Sequence, residues 1–246
     1  MSIGRLDQRV AIVTGGARGI GLAVAKILCE FGATSVIADI NYDQGLKSSE
    51  KLNEKGYATS AVKLDVSSPE SISENIELIY EKYGRIDILV NNAGILDSTS
   101  IPELTVEAWD HLLDIDLRGV HLCSQAVLPY MKKSDCGRII NLSSQAGQLG
   151  GWKAGVNYSA AKGGVLALTK AYARYAAKFG ITVNAVSPGF ILTDMTASRS
   201  DETTGIPLGR LGTAEDVANS VYFLASDLSS YITGFTIDVN GGYFIH

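Results

Sequence analysis

Tyr158 and Lys162 stand four positions apart, a spacing that puts both side chains on one face of a helix. A lone tyrosine, with a pKa of about 10, is a poor acid or base near neutrality. An ammonium beside it stabilises the tyrosinate and turns the pair into a proton-transfer device. The same spacing is common on exposed helices, so the surroundings must decide whether this pair does chemistry. A second constellation lies near the start of the chain, Thr14-Gly15-Gly16-Ala17-Arg18-Gly19-Ile20-Gly21. Glycines in such a turn let the backbone approach a pyrophosphate and let helix and strand pack closely, while the helix N-terminus offers free N–H groups and a partial positive charge. Asp39 ends the next β-branched run, about 20 positions on, where a carboxylate can accept hydrogen bonds from an adenosine ribose. A glycine turn by itself is weak; a strand before it, a helix after it and this acidic residue point to a dinucleotide site.

Two residues there pull the cofactor choice in opposite directions. Asp39 accepts from ribose hydroxyls but repels a 2′-phosphate, whereas Arg18 could pair with one. Ile40 and Asn41 supply no second cation. NAD(H) is therefore expected over NADP(H), with NADP(H) the alternative.

These residues need a frame, and short β-branched runs alternate with helix-period segments almost to the end of the chain. Strands are expected at Val10–Val13, Ser35–Ala38, Ser60–Leu64, Ile86–Val90, Arg138–Leu142, Thr182–Ala185 and Thr236–Val239. Helices are expected at Ile20–Phe31, Glu70–Tyr83, Val106–Met131, Ser159–Phe179 and Ala214–Ala225. Ser68 before Pro69 reads as a helix N-cap with proline at the first helical position, and Thr213 caps the last long helix. Gly32, Gly84 and Gly180 sit where helices should exit. The alternation implies an α/β fold: one Rossmann-type, doubly wound parallel sheet of about seven strands, helices on both faces, over residues 1–246 as a single domain.

The bulk properties exclude other classes. The 246 residues carry 21 Lys+Arg and 26 Asp+Glu, a net charge of -5 with no basic cluster, which argues against nucleic acid or an anionic membrane as partner. No apolar run reaches the length of a membrane span, and no secretory leader is evident at the start. Cys29, Cys123 and Cys136 show no metal-ligand spacing, nor do His111, His121 and His246. No metal is expected, and a reducing cytoplasm is the simplest setting.

Further motifs occur in order: Leu64-Asp65-Val66, Asn91-Asn92-Ala93-Gly94, Ser144, Tyr158-x-x-x-Lys162 and Ser187-Pro188-Gly189. With the pattern T-G-x-x-x-G-I-G, this series resembles the short-chain dehydrogenase/reductase family from Thr14 to about Gly242. The resemblance implies an oxidoreductase that passes a hydride between a nicotinamide dinucleotide and a carbonyl or alcohol. It implies that Tyr158 exchanges the proton, aided by Lys162 and by the positive nicotinamide ring, and that Ser144 holds the substrate oxygen. Lys162 would also hold the nicotinamide ribose. Gly15, Arg18, Gly19, Ile20, Gly21, Asp39, Asp65, Val66, Asn92, Ala93 and Gly94 would line the adenosine and pyrophosphate path, and Pro188, Gly189, Ile191 and Thr193 the nicotinamide. Ser143 is expected to be structural.

One position departs from the family pattern. Asp116 stands where the family carries an asparagine of its catalytic tetrad, which supports a helix kink and a water relay from the lysine. An aspartate accepts hydrogen bonds but donates only when protonated. It is kept as a catalytic candidate, able to strengthen the charge on Lys162.

The segment Gln145–Asn157, including Gln145, Leu149, Trp152 and Val156, is a candidate for the substrate wall, with Ser144 and Tyr158, and the segment Asp194–Arg210 for a cover over it. A small to medium secondary alcohol or ketone is the first substrate expectation. The segment Ile206–Gly212 and the tail Tyr231–Gly242 are similar to the 3-oxoacyl-carrier-protein reductase branch, which is the alternative. It ranks second because the turn after Lys133 reads Ser134-Asp135-Cys136 and Phe179 precedes Gly180, without the basic residues that help dock an acidic carrier. A catalytically silent nucleotide-binding protein is the third reading. The resemblance also implies a homotetramer, paired through the long helices and the C-terminal region.

Overall fold

The computed structural model describes residues 4–134, 136–151, 154–193, 203 and 205–245. Seven parallel strands form one sheet: β1 (Val10–Thr14), β2 (Thr34–Asp39), β3 (Thr59–Lys63), β4 (Ile88–Asn91), β5 (Arg138–Leu142), β6 (Thr182–Pro188) and β7 (Thr236–Val239). Their order is β3-β2-β1-β4-β5-β6-β7, every neighbouring pair parallel. The expected doubly wound sheet is what forms.

Its strands read as continuous apolar runs because both faces are covered. Along β1, Ala11 and Val13 pack with Val24 and Leu28 of α1 (Gly19–Glu30) and with Val217, Val221 and Leu224 of α8 (Ala214–Ala225). Val10 and Ile12 turn the other way, into a cluster with Ile72, Ile76 and Ile79 of α3 (Pro69–Tyr83) and Cys123 and Val127 of α5 (Gly119–Met131). The strand's period of two thus feeds two cores. In the second, burial pushes the Cys123 thiol up to about 12, so it behaves as an apolar filler.

Local signals act as their chemistry requires. Ser68 Oγ accepts from the Ser71 N–H at 3.1 Å with Pro69 behind it, and Thr213 forms a reciprocal cap with Asp216. Two expectations need correction. Helix α2 (Tyr42–Asn53) was not among the expected helices, since its inward face consists of Gly45, Ser48, Ser49 and Leu52 and carries almost no apolar period. The helix expected over Val106–Met131 is three pieces: α4 (Val106–Leu113), a π-helical turn (Asp114–Arg118) and α5. A π-turn adds a single residue to the helical repeat, and so small a shift in phase between two apolar stretches is easily read as one continuous helix. Among the described residues the remaining α-helices are the short α6 (Ala146–Leu149) and the long α7 (Val156–Ala176). No described helix is long and apolar enough to cross a membrane.

Candidate active site

Strand order reverses between β1 and β4, and loops leaving the C-terminal ends of these strands part there to form a crevice, the usual ligand position in such sheets. Thr14 ties the two loops together: its Oγ1 accepts the N–H groups of Asn92 and Ala93, both at 3.0 Å. The Asn92 amide returns two hydrogen bonds, to the carbonyls of Thr14 (2.9 Å) and Gly15 (3.0 Å). A deeper buried chain runs from Asn91 to Ser124 and Asn141, and from Asn141 to Thr169, fixing β4 and β5 against α5 and α7.

A cavity of about 820 Å³ extends along this crevice. Its lining includes Gly15, Arg18, Gly19, Ile20, Gly21, Asp39, Asp65, Val66, Asn92, Ala93 and Gly94 toward one end. Ser144, Gln145, Asp116, Tyr158, Lys162, Pro188, Gly189, Ile191 and Thr193 line the rest. The sequence candidates thus share one cavity, apart from Trp152 and most of the expected cover. Residues 152, 194–202 and 204 lie outside the described residues, as do Asp135 and His246.

The cradle at the α1 N-terminus fits a dinucleotide. Gly15 has φ +62, and a Cβ on Gly21 would collide with the Gly15 carbonyl and press on the Asn92 amide. Backbone therefore comes unusually close to the cavity, and no side chain caps α1. Asp39 is held in the crevice by accepting from the N–H groups of Ala17 (Oδ2, 3.0 Å) and Asn41 (Oδ1, 3.0 Å). At the far end the Gln145 side-chain oxygen, beside Gly189, is buried without a hydrogen-bond partner among the described residues. It is a polar atom that a ligand could satisfy.

Tyr158, half-buried, occupies the first turn of α7, with the Lys162 ammonium 5.6 Å from its ring centroid. Lys162 is buried. Its Nζ donates to the Leu142 carbonyl at 3.2 Å and pairs with Asp116 Oδ2 at 3.0 Å. Asp116 sits in the π-turn with no exposure, and its Oδ1 accepts the Ile95 N–H at 2.8 Å. Burial alone would lower the lysine pKa, but the charges of Asp116 and Tyr158 outweigh it and the ammonium is held above its ordinary value. Gly94 makes room for this pair, since a Cβ there would lie 2.8 Å from Asp116 Oδ2 and 3.3 Å from Lys162 Nζ. Ser143 Oγ donates to the Lys162 carbonyl at 2.8 Å, while Ser144 faces the cavity.

Some contacts within the site were not legible in the sequence, including those of Asn157 at the end of the expected wall. Asn157, fully buried, accepts the Tyr158 N–H at 2.9 Å and donates to Asp97 Oδ2 at 2.7 Å. Asp97 also receives the Thr99 N–H and hydroxyl. The loop after β4 is thereby fastened to the residue before the tyrosine. Hydrogen bonds from Thr99 and Asn157 hold the Asp97 carboxyl below the usual range. The Asp97-x-Thr99 spacing is a turn signal that could have found it. Ile95, Leu96, Phe190 and Tyr243 also line the cavity, as does Leu149 of the expected wall. Tyr243 comes from the C-terminal tail and meets Phe190 edge to face at 5.2 Å, which periodicity could not anticipate.

The family profile described as "Enoyl-(Acyl carrier protein) reductase" matches residues 15–244. The chain is 42% identical over 249 residues to the 3-oxoacyl-(acyl-carrier-protein) reductase FabG of Thermotoga maritima, covering 98% of this chain and 100% of that protein. It is 43% identical to the FabG of Salmonella typhimurium, with 97% and 98% covered. Among solved structures, gox2181 matches with a TM-score of 0.94 at 37% identity, covering 98% of this chain and 97% of that one. A putative gluconate dehydrogenase from Agrobacterium tumefaciens matches at 0.95 with 31% identity, covering 99% and 98%.

Proposed function

The chain belongs to the short-chain dehydrogenase/reductase family of oxidoreductases, and we propose that it reduces the 3-oxo group of an acyl thioester with Tyr158 as proton donor. The observation that carries this reading is the lining of the cavity that holds Tyr158. Ile95, Leu96, Leu149, Phe190 and Tyr243 make it apolar, and the charged lining residues beyond the Asp116–Lys162 pair are Arg18, Asp39 and Asp65, among the described residues. Arg18 and Asp39 flank the glycine turn, and Asp65 follows β3. Such a wall suits an acyl chain better than a polyol or sugar acid, whose hydroxyls and carboxylate need partners. The names of the relatives at 42–43% identity point the same way, so the two substrate readings of the sequence exchange places.

A nicotinamide dinucleotide in the cradle would supply the hydride. Ser144 and the Tyr158 hydroxyl hold the substrate oxygen, and Tyr158 passes its proton as negative charge develops there. Lys162, kept charged, stabilises the tyrosinate left behind. Asp39 accepts from the adenosine ribose and disposes the site toward NAD(H).

A free ketone or secondary alcohol remains the second reading. Lys132, Lys133 and Lys178 spread over the rings of Tyr80, Tyr130, Tyr175 and Phe179, a basic surface that the sequence reading discounted. It lies where α5 and α7 run down toward β5 and β6, at the end of the sheet away from the cavity, so it does not by itself deliver a carrier to this site. The test is nicotinamide absorbance with a 3-oxoacyl-coenzyme A, the same acyl group on a carrier protein, and simple ketones, each with NADH and NADPH. The proposal requires kcat/KM for a thioester at least tenfold above any simple ketone. A ketone that outruns both thioesters would replace it.

A further inference from the structure

Asp116 puts a fully buried carboxylate 3.0 Å from the Lys162 ammonium, and the geometry shows what that charge reaches. It lines the cavity without any solvent-exposed surface, and its charge acts through Lys162, whose ammonium in turn lies over the Tyr158 ring. We infer that Asp116 is a positioning residue that clamps the Lys162 ammonium and cancels much of its field at Tyr158, so that the site keeps its proton and works reductively at higher pH than an asparagine would allow. The inference rests on the hydride-transfer reading of the site.

Few other charges compete for this role. Asp97, on the loop after β4, faces Asn157 and is already satisfied by Thr99. From β5 the partners are the Leu142 carbonyl and the Ser143 hydroxyl, neither of which ionises near neutrality. On α7 itself the neighbour is Tyr158. Asp114 and Arg118 of the π-turn pair with each other at 3.1 Å and are largely exposed, so their fields are screened. Arg18, Asp39 and Asp65 belong to the other end of the crevice. His121 bonds Tyr172 further along the helices. Asp116 is the anion that faces the ammonium.

The direction follows from charge alone. With the ammonium unopposed, the tyrosinate is favoured and the proton leaves at lower pH; with a carboxylate on the ammonium, the proton stays longer. A charge within about 4–6 Å moves a titrating group by about 1–3 units, and Asp116 acts one side chain further off, so about one pH unit is expected.

The experiment compares wild type with Asp116→Asn, which keeps an acceptor for the Ile95 N–H, and with Asp116→Ser. Reduction and oxidation are followed across pH. In both variants the alkaline limb of reduction and the acidic limb of oxidation should move down by about one pH unit together. A readout that needs neither substrate nor cofactor separates this from the functional reading. The tyrosinate absorbance that Tyr158→Phe removes should develop at lower pH in Asp116→Asn than in wild type. An absorbance that develops at the same or higher pH overturns the inference, because Asp116 then serves only to keep Lys162 charged. An absorbance shift with turnover of simple ketones but of no 3-oxoacyl thioester keeps the inference about Asp116 and sinks the proposed function.

Discussion

Replacing Asp39 by serine should convert the cofactor preference, and the structure sets the size of the change. The Asp39 carboxylate spends one hydrogen bond on the Ala17 N–H and one on the Asn41 N–H. An ionised carboxylate has about four lone-pair sites, so about two remain for ribose hydroxyls. The same carboxylate, half-buried, meets any 2′-phosphate. For about 1.5 phosphate charges roughly 5 Å away, at an effective dielectric of about 60, the repulsion is about 2 kcal/mol. Arg18 is exposed and recovers about 1 kcal/mol at most. With a charged hydrogen bond to the ribose of about 1.5 kcal/mol added to this net of about 1 kcal/mol, the wild type should prefer NAD(H) by at least about tenfold in kcat/KM. In Asp39→Ser the repulsion is gone, a gain of about 30-fold for NADP(H), while a lost charged hydrogen bond of about 1.5 kcal/mol costs NAD(H) about tenfold. The ratio of the two kcat/KM values should thus move by about two orders of magnitude. Steady-state rates with each cofactor at one fixed substrate concentration measure it. A ratio that moves less than about threefold would mean that Asp39 faces the Ala17 turn alone and that Arg18 governs selection.

Tyr158→Phe should lower turnover by about a hundredfold or more while dinucleotide affinity, read by nicotinamide fluorescence, stays within about threefold. Lys162→Ala should lose both turnover and affinity, and its unfolding midpoint should fall, because Asp116 is left as an unpaired buried charge. The protein should run as a homotetramer in light scattering at micromolar concentration; Tyr175, Tyr231, Phe235 and Ile245 are apolar side chains on the expected contact faces, and a monomer would leave them in water. The Asp216 carboxyl is lowered to about 2 by the Arg210 hydrogen bond and the Thr213 N–H. A depressed carboxylate contributes stability above its unfolded pKa of about 4 and loses it as pH falls through about 2, so the melting difference between wild type and Asp216→Asn should vanish over that window.

Linear sequence sufficed wherever the physics is local. Strand period, the Ser68-Pro69 and Thr213 caps and the order of strands and helices follow from side-chain alternation and from backbone groups satisfied within a few residues. The glycine turn was legible for the same reason, since close backbone approach demands the absence of Cβ. Even the positions of Asp116 and Lys162 could be marked as candidates. Their meeting could not be read there, because 46 residues separate them and only the π-turn aims the carboxylate at the ammonium. The fastening of Asp97 to Asn157, and the arrival of Tyr243 at Phe190, depend in the same way on how distant segments pack. Helix α2 escaped because small residues, which pack closely against β2 and β3, leave no apolar stripe to count. Chemistry-bearing residue types were set by sequence; which charge faces which, at 3.0 Å and out of water, was decided by the tertiary fold.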